Sequence, residues 1–252
     1  MLLEDPTVAL RALSQQRPIF TRQDLVQFLN SRTGGPEQLD AVLAAIMESG
    51  ELVALALDDA MPPRFTTRDM LEAEKSLLKR AAAMAVRRGH GFSPQAQMSG
   101  QPVQPLSAEQ RPAFEYLVDE GDIKALAAPA GAGKNALLAA VREVWEFQGL
   151  TVVGMALSRI AAETLQASSG IQSRTLESRE LEWKEGRDAL TLNHVLVADG
   201  AEMIGLKPLE RILALVDKAR GKVVLVGDSH QLDAMGSMSP LRSILDRVTP
   251  NR

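Results

Sequence analysis

Hydrophobic residues fall along this chain in two textures. Up to residue 89 they recur every three or four positions: Val8, Leu10 and Leu13, then Leu25, Phe28 and Leu29, then Leu39, Val42, Leu43 and Ile46. That spacing predicts three short helices, each with one apolar face. Thr21 stands where it can cap the second, and Gly34-Gly35-Pro36 opens the third. Residues 52–57 and 64–67 predict the two strands of a hairpin. Together they make a small α+β module of winged-helix-like form over residues 1–66. A longer helix is predicted over 67–89, with Met70, Leu71, Leu77, Leu78, Met84 and Ala85 as its apolar stripe.

Beyond residue 106 the texture changes. Apolar residues now sit on consecutive positions at 123–127, 151–157, 194–197 and 222–226. Helical patterns separate them, near 109–118, 134–147, 159–167, 174–186 and 207–220. Strands that are apolar on consecutive positions, separated by helices, are covered on both faces, so residues 106–252 are expected to form an α/β domain: a parallel sheet with helices on both sides. Residues 90–105 lack periodicity, carry prolines and glycines, and are expected to be a linker, with His90 solvated at its start.

Composition narrows the chemistry. The 252 residues include no Cys, which excludes disulfides, thiol catalysis and cysteine-based zinc sites. No apolar run is long enough to span a bilayer, so no membrane partner and a cytoplasmic location are expected. The net charge is −4, and it is uneven. Residues 1–66 hold five basic against nine acidic side chains, whereas 67–105 hold six against three. Lys75, Lys79, Arg80, Arg87 and Arg88 load the far half of the long helix, either as a solvated face or as an edge for a phosphate backbone. The third helix, by contrast, offers Glu37, Asp40 and Glu48 and no base-reading donor, which argues for packing or partner docking over major-groove recognition.

The strongest chemical signal is Ala128-Pro129-Ala130-Gly131-Ala132-Gly133-Lys134-Asn135, between a predicted strand and a predicted helix. A small-residue loop closed by Gly-Lys lets backbone N–H groups curl round phosphate oxygens, and the helix N-terminus adds favourable potential. Two further strands end in carboxylates, at Asp199 and at Asp228, the latter followed by Gln231-Leu232. Such a carboxylate is what the Mg²⁺ side of a phosphate site requires. Upstream, Ser107 and Gln110 are spaced as a capping box.

These motifs, in the order Leu-Ser-x-Glu-Gln, Gly-Ala-Gly-Lys, Ala-Leu-Ser-x-x-Ala-Ala, Val-x-Asp and Gly-Asp-x-x-Gln-Leu, resemble the first RecA-like motor domain of RecD-like superfamily-one DNA helicases. Residues 169–176 (Ser-Gly-Ile-Gln-Ser-Arg-Thr-Leu) and 64–68 (Arg-Phe-Thr-Thr-Arg) resemble the helicase portion of TraA-type conjugal transfer relaxases. The resemblance implies a P-loop NTPase fold that binds ATP and Mg²⁺. It assigns Gln110, Ala130, Gly131, Ala132, Gly133, Lys134, Asn135 and Asp228 to the nucleotide, Asp199 and Asn135 to the metal, and Asp199 and Gln231 to catalysis. Single-stranded DNA would lie along Ser158, Arg159, Arg174 and Thr175. Other conjugative-transfer components, or a chain supplying a second motor domain, are the further partners implied, because the sequence ends at Arg252 before such a domain.

Two departures from the family pattern bear on turnover. Asn135 stands where the metal-ligating Ser or Thr belongs, and Gly200 stands where the catalytic Glu belongs; Glu202 lies two residues on. Both fall on hydrolysis, while the phosphate cradle is intact, so weak hydrolysis is expected. The family's nickase chemistry is not expected either, since His90, His194, His230 and Tyr116 are scattered. The alternative reading is a nucleotide-independent single-stranded-DNA-binding or interaction module, for which Trp145 and Trp183 are the only tryptophans available to stack on bases.

Overall fold

The computed structural model describes residues 7–55, 63–90, 106–235 and 239–249. The chain divides into two compact units, Met1–Lys75 and Ser76–Arg252.

The first unit holds α1 (Thr7–Gln16), β1 (Phe20–Thr21), α2 (Arg22–Asn30), α3 (Pro36–Glu48), β2 (Leu52–Leu55) and β3 (Arg64–Thr67). The helices form where the apolar spacing put them. Thr21 starts α2 through a complete capping box: its hydroxyl accepts the Asp24 N–H at 3.2 Å, and the Asp24 carboxylate accepts the Thr21 N–H at 2.9 Å. That backbone donor is the main reason the Asp24 carboxyl is held below its usual range. Leu10, Phe20, Leu25, Leu29 and Ile46 make the buried core. The sheet has the order β1-β3-β2 and is antiparallel, with Phe20 opposite Phe65. Residues 56–57 of the predicted hairpin lie outside the described residues.

In the second unit, α5 (Gln110–Val118), α6 (Lys134–Phe147), α7 (Arg159–Ser169), α8 (Leu176–Lys184), α9 (Leu206–Ala219), α10 (Ser229–Met235) and α11 (Pro240–Val248) surround five strands. These are β4 (Ile123–Ala128), β5 (Thr151–Ala156), β6 (Gln172–Thr175), β7 (His194–Asp199) and β8 (Lys222–Asp228). They are all parallel, in the order β4-β8-β7-β5-β6. This is the P-loop NTPase architecture expected from the consecutive apolar runs. The central strands β7 and β8 are buried on both faces, and Leu138, Val141, Trp145, Leu165 and Ile171 cover them.

Three expectations need correction. The helix predicted from residue 174 begins at Leu176, because Gln172–Thr175 is a fifth strand. It is polar and lies at the sheet edge, so no apolar run marked it. The long helix, α4 (Arg68–Ala85), stops four residues short of 89. His90 is buried, not solvated: Nδ1 meets Asp122 Oδ1 at 2.7 Å and Nε2 meets the Leu192 carbonyl at 2.8 Å.

The basic residues of the long helix also have a local explanation within this unit. Arg80 and Arg87 both pair with Asp217 of α9, and Arg87 reaches Asp122 at 3.2 Å. Burial alone would raise the Asp217 pKa, but Arg87 and Arg80 together hold it below the usual carboxylate range. Asp217→Ala leaves two partly buried guanidiniums without their shared partner. It should destabilise the second unit by about 2–3 kcal/mol in urea unfolding, toward the lower side of buried-pair disruption because the carboxylate is still partly solvated.

Candidate functional site

The loop after β4 is shaped by two left-handed glycines, Gly131 at φ 81° and Gly133 at φ 76°. A Cβ at Gly133 would also sit 2.4 Å from Gln110 Nε2, so that side chain would have to swing away from the loop. Among the described residues no backbone partner satisfies the N–H groups of Gly131, Gly133, Lys134 or Asn135, which leaves them available as donors. Ala130 and Ala132 complete it with small side chains, and the Ala132 N–H closes the turn onto the Pro129 carbonyl at 3.2 Å.

Lys134 opens α6, and its ammonium donates to the carbonyls of Ala128 at 2.7 Å and Pro129 at 3.0 Å. Its nearest carboxylate is Asp228 Oδ2 at 3.9 Å. The sheet order explains this meeting: β8 lies beside β4, and Ala128 is the register partner of Asp228. One strand further, β7 ends at Asp199. Burial raises the Asp199 pKa, against the opposing pull of the Gly200 N–H and of Lys134. The loop and both strand-end carboxylates therefore share one edge of the sheet. Asn135, half-buried in the first turn of α6, makes no side-chain hydrogen bond among the described residues.

Asp228 has a second task. Its Oδ1 accepts the N–H groups of His230 at 2.9 Å and Gln231 at 3.2 Å, which caps α10. The Gln231 N–H is the largest influence holding its pKa down. Gln231 itself is exposed. Gln110 approaches the loop from α5: its box with Ser107 is present at 3.1 and 3.2 Å, and its Nε2 donates to the Gly133 carbonyl at 3.4 Å.

Gly200 occupies the left-handed region at φ 69° and leads into the short 3₁₀ turn Ala201–Met203. Glu202 is buried, with one carboxylate oxygen unpaired. That oxygen would lie 2.9 Å from a Cβ at Gly227. Glu202 also lies close enough to Asp199 and Asp228 for both carboxylates to act on it electrostatically. Burial raises its pKa, and the N–H of Asp228 is among the donors that counter this.

The four residues assigned to DNA lie on the same carboxyl edge, but beyond β7. Met155 pairs with Arg174 and Ala156 with Thr175, so β5 and β6 end side by side. Ser158 and Thr175 both cap helices, accepting the N–H groups of Ala161 at 3.1 Å and Ser178 at 3.2 Å. Arg159 is exposed and pairs along its helix with Glu163 at 2.8 Å. Arg174 is half-exposed and tied to the buried Glu182. Trp145 is fully buried and so unavailable for stacking, while Trp183 is half-buried. Among the described residues no three His, Asp or Glu side chains cluster as a metal site, and no helix is long and apolar enough to cross a membrane.

Comparison with known proteins agrees with this arrangement. The AAA domain family model matches residues 105–251. The chain is 32% identical to the conjugal transfer protein TraA of Rhizobium radiobacter over 98% of its own length, and 33% identical to a probable conjugal transfer protein TraA of Sinorhizobium fredii over 96%. It is 25% identical, over 93%, to the multifunctional conjugation protein TraI of Escherichia coli K12. The resemblance to TraA-type proteins drawn from the motifs is thereby borne out. The chain spans 23% of the length of the two TraA relatives and 14% of that of TraI.

Proposed function

The chain belongs to the AAA domain family, and we propose that it is the ATP-binding first motor domain of a conjugative relaxase/helicase, with hydrolysis impaired. In this reading residues 106–252 are the motor, 1–66 a winged-helix-like module, 67–89 a connecting segment that holds α4, and 90–105 a linker. The observation that carries the reading is the Lys134 ammonium. It is held at the mouth of the loop by carbonyls alone, among N–H donors left without partners and facing two strand-end carboxylates.

That donor set fits a polyphosphate. Residues 130–134 would hold its oxygens, Gln110 would lie at the base, and Gln231 at the terminal phosphate. The carboxyl of Asp199, raised by burial, and the uncommitted amide of Asn135 suit a cation. Mg²⁺, when bound, neutralises charge between phosphate oxygens. An amide oxygen is a poorer fit than a hydroxyl to the strict octahedral geometry of that ion, and Gly200 supplies no base. Single-stranded DNA would follow the exposed ends of β5 and β6 at Ser158, Arg159, Arg174 and Thr175, and the setting would be the cytoplasm of a cell engaged in plasmid transfer.

Lys134→Ala should weaken binding of a fluorescent ATP analogue by about tenfold or more, the expected loss for a charge-assisted hydrogen bond. Equal affinity of the two proteins would overturn the nucleotide assignment. If affinity for oligo-dT then proved salt-dependent and indifferent to ATP, the nucleotide-independent DNA-binding reading would take its place.

A further inference from the structure

At the amino-terminal edge of the parallel sheet, the end away from the phosphate loop, lies a half-open cavity of about 320 Å³. Its floor is built where three strands begin. Asp122, Leu150 and Asn193 immediately precede β4, β5 and β7. Arg87 to His90 close one side, and Arg220, at the end of α9, closes another.

Charge in this cavity is one-sided. Its single carboxylate, Asp122, is buried and engaged at both oxygens, by Arg87 at 3.2 Å and by His90 at 2.7 Å. Arg88 is largely exposed and, among the described residues, pairs with Glu120 at 3.6 Å. Among the described residues the Arg220 guanidinium and the Asn193 amide have no partner. Arg220 and Asn193 are therefore donors left without a partner at the cavity, and Arg88 stands beside them with one long, exposed pair.

The backbone supplies an independent observation. Arg220 caps α9 at φ 60°, in the left-handed region. After α6, α7 and α8 the chain makes the same exit with glycine, at Gly149, Gly170 and Gly186. An arginine carries strain in that conformation that glycine does not. Strain at a residue whose side chain borders a cavity points to a use for the side chain.

We propose that this cavity binds a phosphate-bearing small molecule, gripped by the planar forks of Arg220 and Arg88 with the Asn193 amide as a further donor. Guanidinium forks match phosphate oxygens pairwise. Leu150 and Leu192 line the same space and would face an apolar portion of the ligand. A concave site of this volume suits a small ligand better than a nucleic-acid strand. The site is separate from the phosphate loop, and its test is built to keep the two apart.

The full chain carrying Lys134→Ala is titrated with inorganic phosphate and with adenosine monophosphate, at constant ionic strength against chloride, by calorimetry. Saturable phosphate binding should persist in that background. It should weaken about tenfold on either Arg220→Gly or Arg88→Gln, and further with both. Arg220→Gly relieves the left-handed strain, so it should unfold at an equal or higher temperature, which separates lost binding from lost fold. Tighter binding of the monophosphate than of phosphate identifies a nucleoside phosphate as the ligand class, and equal binding identifies free phosphate. Unchanged affinity in the double arginine variant, or no saturable binding at all, overturns the proposal.

Discussion

Between pH 7 and pH 10 the second unit should gain several kcal/mol of stability, and Lys222→Met should remove most of that gain. Lys222 begins β8 with its side chain fully buried. Its ammonium donates to the Asp119 carbonyl at 2.8 Å and to the His90 carbonyl at 3.5 Å, and no carboxylate pairs with it among the described residues. Burial, reinforced by the neighbouring Lys124, lowers its pKa from 10.5 to about 7, against the weaker pull of Asp122 and Asp119.

A lysine depressed in the folded state binds fewer protons there than in the unfolded chain. Below pH 7 both states are protonated and the burial penalty is fully present. As pH rises toward 10.5 the folded protein is already neutral while the unfolded chain is still shedding its proton, so stability climbs. The full span corresponds to a gain on the order of 4 kcal/mol. Lys124 is depressed in the same direction, mainly by burial, and leaves a smaller residual slope in the variant. Tyr116 sets the upper limit of the window, because its pKa is raised by burial and stability falls again above about pH 10. Urea unfolding at pH 7, 8.5 and 10 reads the slope. Because the Met variant also strips the Asp119 carbonyl of its donor, the slope is the diagnostic quantity and absolute stability is not. Parallel slopes in the two proteins would sink the assignment.

Asn135→Thr combined with Gly200→Glu should raise steady-state ATP turnover in the presence of single-stranded DNA by about 10²-fold or more, the typical contribution of a general base. A threonine at 135 offers a compact hydroxyl in place of the amide, and a glutamate at 200 adds a second carboxylate next to Asp199 at the end of β7. Space is not an obstacle, since a Cβ at Gly200 meets nothing within 4 Å. Backbone strain is: φ 69° at this position should destabilise the variant by about 1–2 kcal/mol. A protein that gains turnover while melting earlier would carry the signature of restored chemistry at a position relaxed for glycine. Robust turnover by the unmodified chain would instead overturn the reading of impaired hydrolysis.

Much of the fold was legible because burial leaves a mark on composition. Strands β4, β5, β7 and β8 are covered on both faces and wrote largely apolar runs; α2 announced itself through Thr21. The phosphate loop was legible because close backbone approach admits only small residues. What escaped was set by tertiary partners. His90 looked like a linker residue until Asp122, Leu192 and the beginnings of β4 and β7 were brought around it. Lys222 opened a run read as apolar, and its burial depends on Trp145 and on the segment ending at Asp119. Likewise, the burial of Glu202 against β8 follows from the 3₁₀ turn that carries it, which a residue count does not reveal.

The short strand β6 was invisible for a reason that has its own value to the molecule. Among the described residues it pairs only with β5, which makes it an edge strand, the kind of border on which a second chain can nucleate a continuous intermolecular sheet. Side chains already occupy part of that border: the Gln166 amide oxygen accepts the Ser173 N–H at 3.0 Å, and Arg179 donates to the Gln172 carbonyl at 3.2 Å. Its four residues, Gln172, Ser173, Arg174 and Thr175, are polar throughout, and the outermost guanidinium is pinned by Glu182. A brief, hydrophilic, charged border is a poor template for such growth. The same polarity that hid the strand from hydropathy guards the protein against aggregation.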